Sequence, residues 1–363
     1  MRILVAPDKF KGSLDARGAA EAMARGLALA HPEAEILIRP MADGGEGFME
    51  TVHSGIGGSW QSCPAVDACG REINARFLIA ESSDGPIAVM EMAETAGIAR
   101  LSPTERDPLT ASTRGIGMQI AHATENYEIH RIYLGLGGSA TNDGGCGMAA
   151  ALGYRFLDAS GSEIPALPAQ LHRLARIAAP ERESWPEIIA ACDVDNPLLG
   201  PRGATAVFGP QKGADDAMRP LLENVLARVV EIAAATEAAE TPGAGAAGGL
   251  GFGLLHFTSA RLISGFDLVA SLLGFEDLIR GVDLVVTGEG SLDSQSLGGK
   301  GPVALAKLAA RHGVPTLALC GQADATIRQS GIFHDIRALA DSGLPPDILF
   351  RDAALLLESL ASR

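Results

Sequence analysis

Residues 131–145 decide the fold: Arg131-Ile132-Tyr133-Leu134-Gly135-Leu136 is a short, nearly apolar run, and Gly137-Gly138-Ser139-Ala140-Thr141-Asn142-Asp143-Gly144-Gly145 follows it as a polar, glycine-rich loop. The same grammar recurs along the chain. Residues 3–6 run into Pro7-Asp8-Lys9, residues 36–40 into Ala42-Asp43-Gly44-Gly45-Glu46-Gly47, residues 284–287 into Gly288-Glu289-Gly290, and residues 316–319 into Cys320-Gly321-Gln322. Short, wholly apolar runs are expected of strands buried on both faces of a parallel sheet.

Helical periodicity lies between them. Ala16, Ala20, Met23, Leu27 and Ala30 recur at three- and four-residue spacing over 14–31, with Ser13 placed to cap the start and Pro32 beyond the end. Residues 302–312 open on Pro302 and stop before Gly313. Residues 216–235, with Pro220 in the first turn, and 351–361 are helical by period. The alternation predicts an α/β fold around a Rossmann-like parallel sheet, with ligands beyond the carboxyl ends of its strands. Five polar loops at five strand ends therefore point to one crevice.

Two stretches break the rhythm. Residues 59–92 alternate as antiparallel strands do, with turns at 69–71 and 82–86. Residues 154–274 combine a hairpin turn at Asp158-Ala159-Ser160-Gly161, a long helix and a Gly/Ala-rich segment. The expected division is 1–58, 93–153 and 275–363 in a parallel α/β domain, and 59–92 with 154–274 in an inserted second α/β domain.

Composition narrows the function. In 363 residues, 44 Asp and Glu against 29 Lys and Arg leave a net charge of −15, which repels nucleic-acid backbones and acidic lipid headgroups. Aromatics at 4% offer little for base stacking. No window approaches the ~20 apolar residues of a membrane span, and the N-terminus turns polar too early for a signal peptide. The cytoplasm is the expected compartment. Five scattered cysteines without a CxxC pair suit reduced thiols rather than zinc or redox work.

Several motifs have competing readings. An ordinary P-loop is excluded, because Lys300 has neither the earlier glycine nor the following Ser or Thr. Gly135 to Ala140 fits G-x-G-x-x-A with Asp158 downstream, which would suit a dinucleotide and an NAD-dependent hydroxy-acid dehydrogenase. Against that, Thr141 to Gly145 prolong the loop where the fingerprint needs a helix. Such a turn can still bind phosphate through its amides. Asp43 to Gly47 is a turn or a carboxylate-bearing site loop. Asp193-Val194-Asp195-Asn196-Pro197 is an Asx turn, or a base or metal ligand with Asn196 beside it. Lys212, between Gly209 and Gly213, is a solvated cation or a phosphate partner. By composition, residues 242–251 are a flexible linker or a glycine loop at a ligand. Glu289 and Asp293 again place carboxylates at a strand end.

The ordered set Pro7 to Ser13, Ala42 to Gly47, Gly137 to Gly145, Cys192 to Leu198, Gly209 to Gly213, Pro242 to Gly251 and Thr287 to Gly290 resembles the bacterial glycerate kinase family, the two-domain class that includes glycerate 2-kinase. The resemblance runs from residue 1 to about residue 325. It implies one α/β domain interrupted by a second, with ATP and glycerate in the cleft between them. It also implies that 242–251 is a site loop. On that reading, phosphoryl transfer needs positioning and charge neutralisation. Asp43, Asp143, Glu289 and Asp293 are the expected Mg²⁺ ligands or their supports. Lys9, Lys212 and Lys300 are expected to meet phosphate charge, and Arg114 to grip the glycerate carboxylate. Asp193 is the expected base. Lys11, Ser13, Gly44, Gly45, Gly138, Ser139, Thr141, Asn142, Asn196, Gly248 and Gly288 complete the expected substrate and nucleotide contacts. The favoured product is 2-phosphoglycerate from D-glycerate. The alternatives are the 3-phosphate, another small hydroxy acid, or a sugar-acid binder without turnover. The partners expected are small molecules, with no nucleic acid or membrane and a possible homo-oligomer.

Overall fold

The computed structural model describes residues 1–363 apart from 43, 46, 182–184, 295, 299 and 300, so the expectations for Asp43 and Lys300 lie outside the described residues. The chain forms two compact units, one of residues 1–43, 50–57 and 265–363 and one of 44–49 and 58–264.

The first unit is built on a five-stranded sheet in the order Asp335–Ala338, Thr316–Cys320, Leu284–Thr287, Arg2–Val5, Glu35–Ile38, every neighbouring pair parallel. Ile3, Leu4 and Val5 are fully buried, as a central strand covered on both faces requires. The Ala16–Ala30 helix buries Ala19, Ala20, Met23 and Leu27 in a core shared with Val286, Leu319 and Leu357. Each large apolar side chain so enclosed contributes roughly 1.5–3 kcal/mol. Its cap is Asp15, which accepts from the Gly18 amide at 2.7 Å, and not Ser13, whose hydroxyl donates to the Phe10 carbonyl at 3.2 Å. A carboxylate at the cap satisfies an otherwise unpaired amide and suits the helix dipole.

The second unit carries a six-stranded sheet in the order Arg261–Ile263, Glu187–Ala191, Arg131–Gly135, Gly85–Glu91, Glu72–Ser82, Ser59–Val66. The first four are mutually parallel and the last two are added antiparallel. This corrects the expected division of the chain. Residues 93–153 belong with the second unit, because the Arg131–Gly135 strand pairs with Gly85–Glu91 on one side and Glu187–Ala191 on the other. The glycine-rich loop ends sort onto two sheets, since an apolar strand is compatible with either until its partners are known.

The Asp158–Gly161 turn forms, with the Gly161 amide on the Asp158 carbonyl. Its leading strand Arg155–Leu157 pairs mainly with Arg176–Ala178 and shares with the near return the bridge Leu157–Glu163 and the Arg155–Glu163 ion pair. Residues 242–251 are no linker. They turn into the Ala246–Thr258 helix through three left-handed residues, Ala247, Gly248 and Gly249, and are largely buried. Among the described residues, no helix is long and apolar enough to cross a membrane.

Candidate active site

Within the second unit, the loop after Arg131–Gly135 is held from several sides. Asp143 is fully buried. Its Oδ2 accepts from the Thr113 amide and hydroxyl, both at 2.8 Å, and from the Gly147 amide at 3.1 Å; its Oδ1 accepts from the Gly145 amide at 3.1 Å. Burial pushes its carboxyl up and those donors pull it back. The Thr113 hydroxyl in turn accepts from the Met148 amide at 2.9 Å. Asp143 therefore ties the start of the Arg114–Asn126 helix to the start of Cys146–Ala151.

A second hold comes from the glycine segment. The Gly144 amide donates to the Gly248 carbonyl at 3.1 Å. Gly248 has φ +69°, and a Cβ there would collide with the Thr141 carbonyl oxygen. Only glycine lets the two backbones meet this closely. A third hold comes from Gly44 and Gly45, whose backbones pack against Gly135 and Gly137.

Lys212 makes the fourth. Its ammonium is buried and donates to the Ser139 hydroxyl and the Thr141 carbonyl, each at 2.7 Å. Of its two readings, the solvated turn cation is the one this burial excludes. Burial pushes the ammonium down to about 7, with Asp143 pulling the other way. An unfolded lysine keeps its proton to about 10.4, so between these values the unfolded chain binds more protons here and the contribution to stability rises with pH. We expect the urea midpoint of the wild type to gain on that of Lys212→Met from about pH 7 to about pH 9.5. A gap independent of pH would contradict a buried ammonium.

Despite these holds, the backbone amides of Gly138, Ser139, Thr141, Asn142 and Asp143 donate to no acceptor among the described residues. Buried amides are almost always paired, so these leave donors available to an acceptor such as an anion. Gly138 is exposed and Ser139 nearly enclosed.

Arg114 opens its helix at this loop's flank, exposed and with no side-chain partner among the described residues. It lines a cavity of about 280 Å³ with Asp67, Cys69, Thr110, Ser112 and Gly147. Cys69 is the one exposed cysteine of the five, and burial together with Asp67 pushes its thiol up. After the Glu187–Ala191 strand, Asp193 is half-buried. Asn196 faces inward along its own turn: its side chain donates to the Arg202 carbonyl at 2.7 Å, and its carbonyl accepts from Gly245.

In the first unit, the loops after three adjacent strands interlock. The Asp8 amide donates to the Gly288 carbonyl, the Gly321 amide to the Glu289 carbonyl and the Gln322 amide to the Gly290 carbonyl. Gly290 packs against Phe10 and Lys11. Lys9 is half-buried and Lys11 exposed, and the Lys9 amide donates to Asp8 Oδ1 at 2.6 Å. Glu289 and Asp293 share Ser296: its hydroxyl donates to Glu289 at 3.1 Å, and its amide donates to Asp293 Oδ1 at 3.3 Å. Among the described residues no group of three or more His, Cys, Asp or Glu could hold a metal. Mg²⁺ needs only one or two carboxylates when phosphate and water supply the rest. Glu289 and Asp293 fit that donor set. Asp143, with four donors already on its two oxygens, does not.

The sequence reading passed over Thr113, Thr205 and Asp8 as site residues. Thr113 and Asp8 stand beside residues it did single out, but nothing in the local pattern marks Thr205, whose hydroxyl receives the buried Asn142 amide at 3.0 Å.

Parallel strands ending in amide-rich loops, with lysines and carboxylates in those loops, define an α/β enzyme of the phosphate-handling kind. Residues 3–363 match the Glycerate kinase family, and the chain belongs to that family. It is 41% identical to glycerate kinase of Bacillus subtilis over 370 residues, covering 99% of this chain and 96% of that protein. It is 40% identical to glycerate 2-kinase of Escherichia coli over 327 residues, covering 88% and 85% respectively. A solved structure described as a glycerate kinase 2 from Salmonella typhimurium LT2 superposes with a TM-score of 0.85 at 35% identity, over 100% of this chain and 96% of that one.

Proposed function

We propose that this protein transfers the γ-phosphoryl group of ATP to D-glycerate with Mg²⁺, forming 2-phosphoglycerate. Family membership supports the reaction class, and the glycerate 2-kinase relative supports the 2-position. The observation that carries the reading is the set of amides at Gly138, Ser139, Thr141, Asn142 and Asp143, at a parallel strand's end, that donate to no acceptor among the described residues, a set that suits phosphate oxygens. Gly138 and Ser139 offer the first of these donors. Lys9 and Lys11 supply positive charge in the first unit, with Gly288 allowing close approach at the neighbouring strand end. Glu289 and Asp293 would hold Mg²⁺, which when bound supplies charge neutralisation on the phosphates. Asp193 takes the proton from the attacking hydroxyl, and Asp143 holds the loop that frames the phosphate.

Arg114 grips the substrate carboxylate. A bidentate guanidinium–carboxylate pair is among the stronger recognition contacts. Replacing Arg114 with alanine is expected to raise the KM for glycerate about 10- to 100-fold while the KM for ATP changes little. An unchanged glycerate KM would remove Arg114 from the role.

Phosphorus NMR of a reaction containing ATP, Mg²⁺ and D-glycerate tests the whole reading. The expected products are ADP and 2-phosphoglycerate. A 3-phosphate product would overturn the regiochemistry. Glycerate-dependent reduction of NAD without ADP release would replace the kinase with a dehydrogenase.

A further inference from the structure

Lys212 sits in a continuous segment, the Ala204–Phe208 helix followed by the Pro210–Lys212 turn. The Gly209 amide bonds the Thr205 carbonyl and the Lys212 amide bonds the Gly209 carbonyl, so the spacing of Thr205 and Lys212 is fixed by backbone. Gly213, at φ +97°, closes the turn against the Arg106 backbone. From this segment Lys212 holds the Ser139 hydroxyl and the Thr141 carbonyl, while the Thr205 hydroxyl accepts from the Asn142 side chain. Between them, the Ala140 amide is fixed on the Ala96 carbonyl at 2.9 Å. Lys212 and Thr205 are each 1% exposed, and Asn142 is fully buried.

The Lys212 ammonium is enclosed, and two of its three donors are already spent on loop oxygens 2.7 Å away. We propose that Lys212 is a positioning residue, which together with Thr205 clamps residues 139–142 from inside and so fixes the amides the phosphate meets. This rests on the kinase reading above. It replaces the expectation that Lys212 lends its charge to the nucleotide. What the loop needs from position 212 is hydrogen-bond donation in an enclosed space.

Three variants separate donation from charge: Lys212→Met, Lys212→Gln and Lys212→Arg. Amide hydrogen exchange over 138–145 and steady-state kinetics are measured on each. In the Met variant we expect exchange in that segment to rise at least about tenfold and kcat to fall by about 10²-fold, with the glycerate KM nearly unchanged. Gln, a neutral donor, should recover part of both losses. Arg, charged but too large for the enclosed site, should resemble Met. Recovery by Arg with failure of Gln, or unchanged exchange in the Met variant, would overturn the clamp. Should the Met variant not fold, Thr205→Val carries the test, since it removes the Asn142 acceptor and leaves the lysine in place. Raised exchange over 138–145 supports the clamp and unaltered exchange overturns it. A wild type that phosphorylates no glycerate would end the kinase reading, while the exchange ranking would still decide the clamp.

Discussion

Replacing Asp193 with asparagine is expected to lower kcat by at least about 10²-fold while leaving ADP affinity within about threefold of the wild type. Asparagine keeps the size and one oxygen of the side chain but cannot take a proton. Asp193 follows the end of a parallel strand and is half-buried, and its chain neighbours Cys192 and Val194 lie against Gly243, whose missing side chain leaves them room. That placement gives a carboxylate with partial access to solvent and a backbone fixed by the sheet behind it. A base that acts only in the chemical step should leave nucleotide affinity untouched. Single-turnover assays with titration calorimetry separate the two quantities. Turnover near the wild-type rate would take the role of base away from Asp193, and a parallel loss of ADP affinity would make it a binding group instead.

The largest effect on stability is expected at Asp143. Removing its carboxylate leaves the Thr113, Gly145 and Gly147 amides and the Thr113 hydroxyl in a buried place without their acceptor. Each stranded donor costs about 1–3 kcal/mol, so Asp143→Ala should lose on the order of 4 kcal/mol or more. That is a large part of the 5–15 kcal/mol by which a typical domain is stable, and some preparations of the variant should fail to fold. Asp143→Asn keeps one acceptor oxygen and should lose less. Urea unfolding at neutral pH measures both. If Asp143→Ala loses under about 1 kcal/mol and its Mg²⁺ requirement rises instead, the carboxylate is a metal ligand and not a brace.

Much of the architecture was readable from apolar runs. Arg2–Val5, Leu284–Thr287 and Thr316–Cys320 form where short stretches of β-branched and aliphatic residues predict them. The helices Ala16–Ala30, Met218–Ala233 and Gly301–Arg311 follow their three- and four-residue spacing. What could not be read was membership. Arg131–Gly135 is as apolar as the strands of the first unit, and only its partners place it in the second sheet. Residues 59–92 showed their antiparallel pairing through alternation, which is a local property.

The site was legible as chemistry and less so as geometry. Glycines and carboxylates at strand ends were visible as motifs, and the backbone contacts among 44–45, 135–145 and 248–249 explain why so many must be glycine. The burial of Lys212 could not be read, because Gly-Pro-Gln-Lys-Gly has the composition of a surface turn while its lysine is buried by residues more than 70 positions away. Ala247 takes φ 52° without being glycine, a conformation that the surrounding contacts impose and the residue itself disfavours.

The placement of Cys69 has a practical use. It is the one exposed thiol and lies on the rim of the cavity that Arg114 lines, while Cys63, Cys146 and Cys320 are buried. A maleimide fluorophore would therefore attach preferentially at this rim, and mildly alkaline conditions would offset the raised thiol. The native chain thus carries its own labelling handle for following occupancy of that cavity in real time, with no cysteine engineered in.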